Sequence, residues 1–571
     1  MFTNTNNHLA FLVIAILAVY AISLNAPFYL DDFRNIQENR LLQTGTVQDF
    51  FLQSRFIGTL TFFAQEKLGL NSVLEYRTVN ILLHTINSIL VYILVSKLMI
   101  LSQQEKQFVA FIAALIFALH PLNSQPVIYI VQRYTLLAAL FYFLSSITYI
   151  SIRQTPIETQ KSKLALLLFC FVALLFLGWF SKQNFISIIF VCVLLEFLFF
   201  KKENSYKPLY IILGVISLSV AIFILASSSG KEMLAILDNA SRETIHASRL
   251  EYFLAQLNII WMYVGKFFVP VNLRLEYSIF SNIFSNLQSA VSLTAHIITI
   301  LFAIFTAKKR PEITFAIGFF YCGHLIESTI IPIRDFAFEH RTYISNLSLA
   351  FLVSLVLGTI SKRINKAKIS ILLTCVFVFA LALSTHQRAT TWNDKEQFFE
   401  NEAKLSPKNP RVLTTLSKVY RNKGEIDKAN ANLEQAFIHS KNELREDVAS
   451  NYLAMLVEQK RIAEANKLAK QLLPKIKDLQ SKNQILHNLG ALNFQIGQLD
   501  IAKNYFSQVC KSPHPLAESF YSLAIIALKQ KDLKTAERTL KKLLSSSPSY
   551  RPGQALYAKV IEAKKLKNRK E

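Results

Sequence analysis

The sequence predicts an all-α protein in two parts: a polytopic membrane helical bundle, then a helical repeat array. Three observations predict it. Of 571 residues, 52% are hydrophobic and only 18% charged, against about 25% charged in an average soluble chain. From Met1 to about Thr385, apolar runs rich in Leu, Ile and Phe follow one another. From His386 onward those runs stop, and 33 of the 62 Lys and Arg and 19 of the 38 Asp and Glu fall there. Residues 1–385 therefore read as the membrane part and 386–571 as a water-facing tail. The composition excludes disorder, collagen-like structure and a disulfide scaffold.

A membrane span needs about 20 mostly apolar residues. Candidates are 9–25, 79–100, 108–121, 134–152, 164–180, 184–200, 208–226, 287–307, 311–330, 343–360 and 369–385. The stretch 251–269 is apolar but carries Gln256, Asn258 and Lys266, and is read as interfacial or re-entrant. Short loops rich in Lys and Arg mark the cytoplasmic side. With the amino terminus inside and 251–269 uncrossed, five loops lie inside: Leu101–Gln107, Arg153–Lys163, Lys201–Lys207, Lys308–Arg310 and Ser361–Lys368. They hold 14 basic residues against Glu105, Glu158 and Glu203. About eleven spans satisfy the bias, and the tail then lies outside: periplasmic in a bacterium, lumenal in a eukaryote. The usage of Lys, Asn, Ile and Phe points to an AT-rich bacterial genome and hence to a multi-pass inner-membrane protein. The first run, Leu9–Leu24, lacks a basic leader and a small-residue cleavage site, so it reads as a retained span.

The net charge of +24 does not imply nucleic acid. The basic excess of the first part sits in short loops, and the tail's is scattered along helices until Lys564–Lys570, without arginine stripes interleaved with aromatics. A solvated helical face accounts for it, with anionic lipid as the other partner. Cys170, Cys192, Cys322 and Cys375 lie in apolar runs and Cys510 stands alone, with no metal-ligand spacing.

The tail repeats. Ala429, Ala465, Ala502 and Ala536 recur at spacings near 34 residues, each inside a similar pattern. The first unit has Leu413, Leu416, Tyr420, Gly424 and Ala436; the third has Leu489, Gly490, Gly497 and Phe506; the fourth has Phe520, Leu523 and Pro548. A degenerate second unit keeps Pro474. That period, with small residues where two helices cross, is the signature of tetratricopeptide repeats. Four such repeats make a solenoid with a concave surface suited to a protein partner.

Ionisable residues gather beside the spans on the outer face. After the first span come Asp31 and Asp32, two carboxylates at the interface. A solvated cap is the plain reading; the chemical one is a catalytic base whose pKa is tuned by partial desolvation. The next outer loop runs from His120-Pro121 through Gln125 to Gln132-Arg133, a third holds Ser181-Lys182-Gln183, and a fifth holds Asp335, Glu339, His340 and Arg341. Flanking cations often snorkel. Against the positive-inside bias, however, Arg133, Lys182 and Arg341 read as a phosphate clamp, since arginine chelates phosphate and lysine supplies a point charge.

The order of these motifs resembles the GT-C membrane glycosyltransferases: an aspartate pair after span one, a His-Pro opening to an Arg-bearing loop, a Ser-Lys loop, a Glu-His-Arg element and a carboxyl-terminal repeat array. Within that superfamily the chain is similar to the transmembrane-and-tetratricopeptide-repeat O-mannosyltransferases and their bacterial relatives. The resemblance implies transfer of a sugar from a polyprenyl-phosphate carrier to a hydroxyl acceptor, on a protein, at the outer face. Asp31 would be the base, with Asp32 orienting it or the acceptor. Arg133, Lys182, His340 and Arg341 would hold the donor phosphate, with His120, Gln132 and Glu339 supporting. Gln125 and Gln183 stand where mannose-specific relatives commonly carry acids, which leaves the sugar open.

The leaving phosphate needs no general acid, so one base and a cationic clamp suffice for an inverting displacement. No cofactor or metal is expected; Glu327, Asp335 and Glu339 are the acids that would supply a divalent site. The expected partners are the lipid-linked sugar, an acceptor protein on the repeat array and membrane lipid. Alternatives are glycosylation of an envelope lipid or polysaccharide, and a membrane-anchored scaffold without activity. A transporter would carry ionisable groups at span centres, where this chain has almost none.

Overall fold

The computed structural model describes residues 5–51, 55–104, 107–156, 160–200, 248–277, 284–328, 332–333, 335–363, 367–440, 445–474, 476, 479–548 and 550–568. The expected span 208–226 lies outside them. All regular structure among the described residues is helical, and the chain divides into two compact units, Met1–Leu405 and Ser406–Glu571.

Among the described residues of the first unit seven helical segments are long and apolar enough to cross a membrane. They are Thr5–Ser23, Val73–Leu101, Ile130–Gln154, Lys161–Trp179, Gln183–Phe200, Asn286–Thr306 and Ile371–Thr391. An eighth is broken: Gln107–Leu119 turns by 55° into Pro121–Ile128. The break follows from Pro121, which lacks an N–H and forces the preceding residue out of the helical region. His120 accordingly has φ −79° and ψ 131°, and its Nδ1 accepts the Leu122 N–H. The remaining expected spans are the shorter helices Pro311–His324 and Asn346–Arg363. The stretch read as interfacial is a helix, Arg249–Phe268, opened by a capping box between Ser248 and Glu251.

Lipid-facing and core-facing segments are plainly distinct. Lys161–Trp179 buries almost only Gly178, and Asn286–Thr306 leaves Leu287, Val291, Ile298, Leu301, Ile304 and Phe305 exposed. Apolar side chains facing outward all round a helix are the mark of a lipid-bathed surface. By contrast Val109–Val131 is buried residue after residue. That segment, with Val73–Leu101, forms the centre of the unit. The last membrane helix, Ala367–Thr391, runs past residue 385, and Lys395–Leu405 packs back through Phe398 against Tyr29 and Trp392, so the first unit closes at Leu405.

The second unit is a run of helical hairpins: Pro410–Asn422 with Ile426–His439, Glu446–Glu458 with Ile462–Leu472, Leu479–Gln495 with Leu499–Cys510, and Ala517–Lys529 with Leu533–Ser546. Arg551–Asn568 follows. Each hairpin turns at a residue with positive φ: Gly424, Lys460, Gly497 and Lys531. Five residues later comes Ala429, Ala465, Ala502 or Ala536, all fully buried. At Gly490 an added Cβ would stand 2.7 Å from Phe506 Cε1, too close for any side chain.

Candidate active site

The aspartate pair opens a short π-helical turn, Phe33–Gln37, just beyond the first helix. Asp32 is fully buried, and its two oxygens accept different backbone N–H groups: Oδ2 that of Tyr29 at 3.0 Å, Oδ1 that of Val131 at 2.8 Å. Burial outweighs these bonds and pushes the carboxyl up to about 7. Asp31 is only partly buried, and its own N–H donates to the Tyr129 hydroxyl at 2.8 Å. The segment Tyr129–Val131 therefore grips the pair twice, leaving the Asp31 side chain as the more accessible carboxylate.

The strand of chain before the pair is fixed by Arg77, which sequence reading passed over. Its guanidinium donates to the carbonyls of Leu24, Ala26, Pro27 and Ile128, at 2.7–3.3 Å. Buried carbonyls outside a helix need such partners, because a buried backbone oxygen without one costs a lost hydrogen bond. Tyr29 adds a clamp from the far end of the unit: its hydroxyl donates to the Trp392 carbonyl at 2.5 Å.

Among the expected phosphate ligands, Arg133 is fully buried and its donors are engaged. Nε reaches Asn80 Oδ1 at 2.9 Å, one Nη reaches Gln65 Oε1 at 2.6 Å, and the other the Tyr76 carbonyl at 2.8 Å. Its guanidinium carbon also lies 4.2 Å from the centre of the Phe62 ring. This is the geometry of an arginine that holds helices together, so the structure gives Arg133 a bracing position.

Lys182 and Arg341 fall together. Lys182 Nζ pairs with Glu327 Oε1 at 2.7 Å and lies 3.4 Å from Thr135 Oγ1, which donates in turn to Gln132 Oε1. Arg341 donates to the carbonyls of Phe336 and Asp335 and, with Arg55, acts electrostatically on Glu327. The run Val131, Gln132, Thr135, Lys182 and Glu327 thus joins the aspartate pair to a cationic cluster. The positions of Gln132 and Lys182 follow from the short helix Ile130–Gln132 and the tight turn after Trp179.

His120, His340 and Glu339 belong to a different cluster, around residues 271–277. His120 Nδ1 accepts from Leu122, so its Nε2 carries the proton and donates to the Phe267 carbonyl at 2.8 Å. His340 donates its backbone N–H to Gln125 Oε1, whose amide donates to the Leu275 carbonyl. Glu339 accepts from the Arg274 N–H and the Tyr277 hydroxyl with one oxygen and from Arg388 with the other. Burial raises its carboxyl above the ordinary range. Glu402 accepts the Leu275 N–H at 2.9 Å and is pushed up to about 7 by burial. Arg388 and Glu402 were missed by sequence reading; a lone charge next to an apolar run was the signal available for Arg388. Among the described residues no three His, Cys, Asp or Glu stand together as a metal-ligand group.

No protein-family model matches the chain. It is 24% identical over 441 residues to a protein O-mannosyl-transferase of Caenorhabditis elegans, a match that covers 72% of this chain and 60% of that protein. The chain therefore matches somewhat under two thirds of the length of that curated relative.

Proposed function

We propose that this protein is an integral-membrane glycosyltransferase that moves a sugar from a polyprenyl-phosphate carrier to a hydroxyl on a protein, at the outer face of the membrane. The observation that carries this reading is the aspartate pair held by Tyr129–Val131, one short polar run from Lys182 and Arg341. The similarity to a protein O-mannosyl-transferase supports the reaction class and the protein acceptor.

In this reading Asp31 takes the proton of the acceptor hydroxyl as that oxygen attacks the anomeric carbon. The bond from that carbon to the carrier phosphate breaks, and the electron pair leaves with the phosphate. Asp32, pinned by two N–H groups, sets the backbone on which Asp31 stands. Lys182 and Arg341 offset the charge that grows on the phosphate, so no acid is needed on the leaving side. The attack comes from the face opposite the phosphate and inverts the anomeric centre. The chemistry invokes no metal. The hairpin array, read as tetratricopeptide repeats, presents the acceptor.

The test is intact-mass and glycopeptide analysis of envelope proteins from cells carrying the wild type or Asp31→Asn at equal membrane levels. Loss of a discrete sugar mass from one or a few proteins is expected. If every protein mass stays unchanged, even in a deletion strain, the protein acceptor is wrong and envelope glycolipids become the place to look.

A further inference from the structure

Glu327 is an expensive residue where it stands. It and Lys182 form an ion pair whose side chains are 13% and 6% exposed, and burying such a pair is not in itself stabilising. Its second oxygen, Oε2, is buried without a hydrogen-bond partner among the described residues. One helical turn earlier, His324 is 2% exposed, with neither ring nitrogen hydrogen-bonded among the described residues. Each such atom forgoes a hydrogen bond that water would have supplied. Arg55 and Arg341 add two further positive charges that act on the same carboxylate. Asp335 acts on Arg341 as a second carboxylate, so two carboxylates among three cations still leave the cluster one negative charge short, and the spare polar atoms belong to Glu327 itself and to His324 on the preceding turn.

We infer that Glu327 is an internal counter-anion: it sits on Lys182 while no substrate is bound and yields Lys182 to the phosphate of the lipid carrier. This rests on the function proposed above and assigns Glu327 a positioning role within it. The exchange makes and breaks no covalent bond. A phosphate oxygen takes the place of Glu327 Oε1 at Lys182 Nζ, and the carboxylate turns away towards the unsatisfied nitrogens of His324, which it already influences electrostatically. The exchange has a direction built into its charges. The sugar-bearing carrier is a phosphodiester with one negative charge, whereas the spent carrier is a monoester that approaches two near neutral pH. A cationic seat alone would hold the product more tightly than the substrate. A carboxylate that competes for Lys182 weakens both and lets the spent carrier go.

The experiment measures binding of undecaprenyl phosphate to the full chain in lipid nanodiscs, for wild type, Glu327→Gln, Glu327→Asp and Lys182→Gln. Glu327→Gln is expected to bind about tenfold more tightly and Lys182→Gln about tenfold more weakly, with the uncharged polyprenol insensitive to either change. In turnover, Glu327→Gln lowers KM and kcat together, because product release slows. A merely structural role would lower the folded yield without that paired change. Orthophosphate and phosphatidylglycerol serve as competitors: equal tightening for either means a seat for any anion and overturns the assignment to the carrier. Equal or weaker carrier binding by Glu327→Gln also overturns it. Should Glu327→Gln fail to accumulate, Glu327→Asp, which keeps the charge but shortens its reach, must still bind more tightly than wild type; unchanged binding there is fatal to the idea. If the wild type binds no undecaprenyl phosphate at all, the parent function falls with it, a result distinct from an unchanged Glu327 variant.

Discussion

Asp32 Oδ1 accepts the N–H of Val131 at 2.8 Å across 99 residues of chain, while Oδ2 accepts that of Tyr29. One carboxylate thereby fixes the distance between the turn that follows the first span and the buried turn after His120. An asparagine at this place offers one acceptor and one donor, so one of the two N–H groups meets an NH2 instead of an oxygen. Asp32→Asn should therefore fold but lose about two orders of magnitude in kcat with a smaller change in KM, as the Asp31 carboxylate shifts. Steady-state kinetics on nanodisc-embedded protein read both. An unchanged kcat would remove Asp32 from the site.

Glu402 gives a pH test that lies outside the membrane. Its unfolded carboxyl titrates near 4.5 and its folded one near 7. Between those values the unfolded chain has lost the proton that the folded chain keeps. Stability therefore falls as pH rises from about 4.5 to 7 and levels off above. Glu402→Gln keeps an acceptor for the Leu275 N–H and removes the titration. The difference in Tm between variant and wild type should swing in the variant's favour across that window, measured by thermal unfolding at pH 5, 6, 7 and 8. A pH-independent difference would mean that the carboxyl is not buried as described.

Arg133 separates a brace from a ligand. Removing its guanidinium takes the arginine donor from the side-chain oxygens of Gln65 and Asn80, at about 1–3 kcal/mol each where they are left unsatisfied. Arg133→Met should reduce the monodisperse fraction of detergent-extracted protein severely, and Arg133→Lys should reduce it too, because an ammonium cannot span three acceptors. A phosphate ligand would behave otherwise: Arg133→Lys would fold normally and raise KM for the carrier.

The hairpin turns carry a smaller, sharper prediction. Lys460 and Lys531 have φ of 56° and 60°, a left-handed conformation that costs a side-chain-bearing residue about 1–2 kcal/mol. Gly424 and Gly497 occupy the matching turns without that cost. Lys460→Gly and Lys531→Gly should each stabilise their hairpin by up to about 1 kcal/mol, seen as slower amide exchange in the flanking helices. The reverse change, Gly497→Lys, should speed it.

What could be read in the sequence divides by the range of the interaction that fixes it. The hairpins were legible because their cause is local: an alanine, a turn residue and a helix pair repeat together within one unit. The membrane helices were legible for the same reason. Read from sequence, a span ends at His120-Pro121 and a loop opens there, whereas the chain turns by 55° into a second helical segment that runs to Ile128. The aspartate pair stood out because two carboxylates at the end of an apolar run have no packing explanation. The roles of the cations were not legible. Arg133 and Lys182 look alike in sequence, yet one braces Asn80 and Gln65 and the other faces Glu327, and only the three-dimensional neighbours tell them apart. Arg77 and Arg388 escaped for a related reason. Their partners lie about 50 residues away for Arg77 and as many as 264 away for Arg388, and no spacing rule reaches that far.

Tyr29 and Trp392, joined through the tyrosine hydroxyl, are 363 residues apart. A ribosome adding about 5–20 residues per second needs roughly 20–70 s to travel between them. Through that interval the first helix is made and inserted while the turn bearing the aspartates lacks its final clamp. Tyr29 gains this bond only once Trp392 has been made, so a chain terminated before that residue carries the aspartate turn without it.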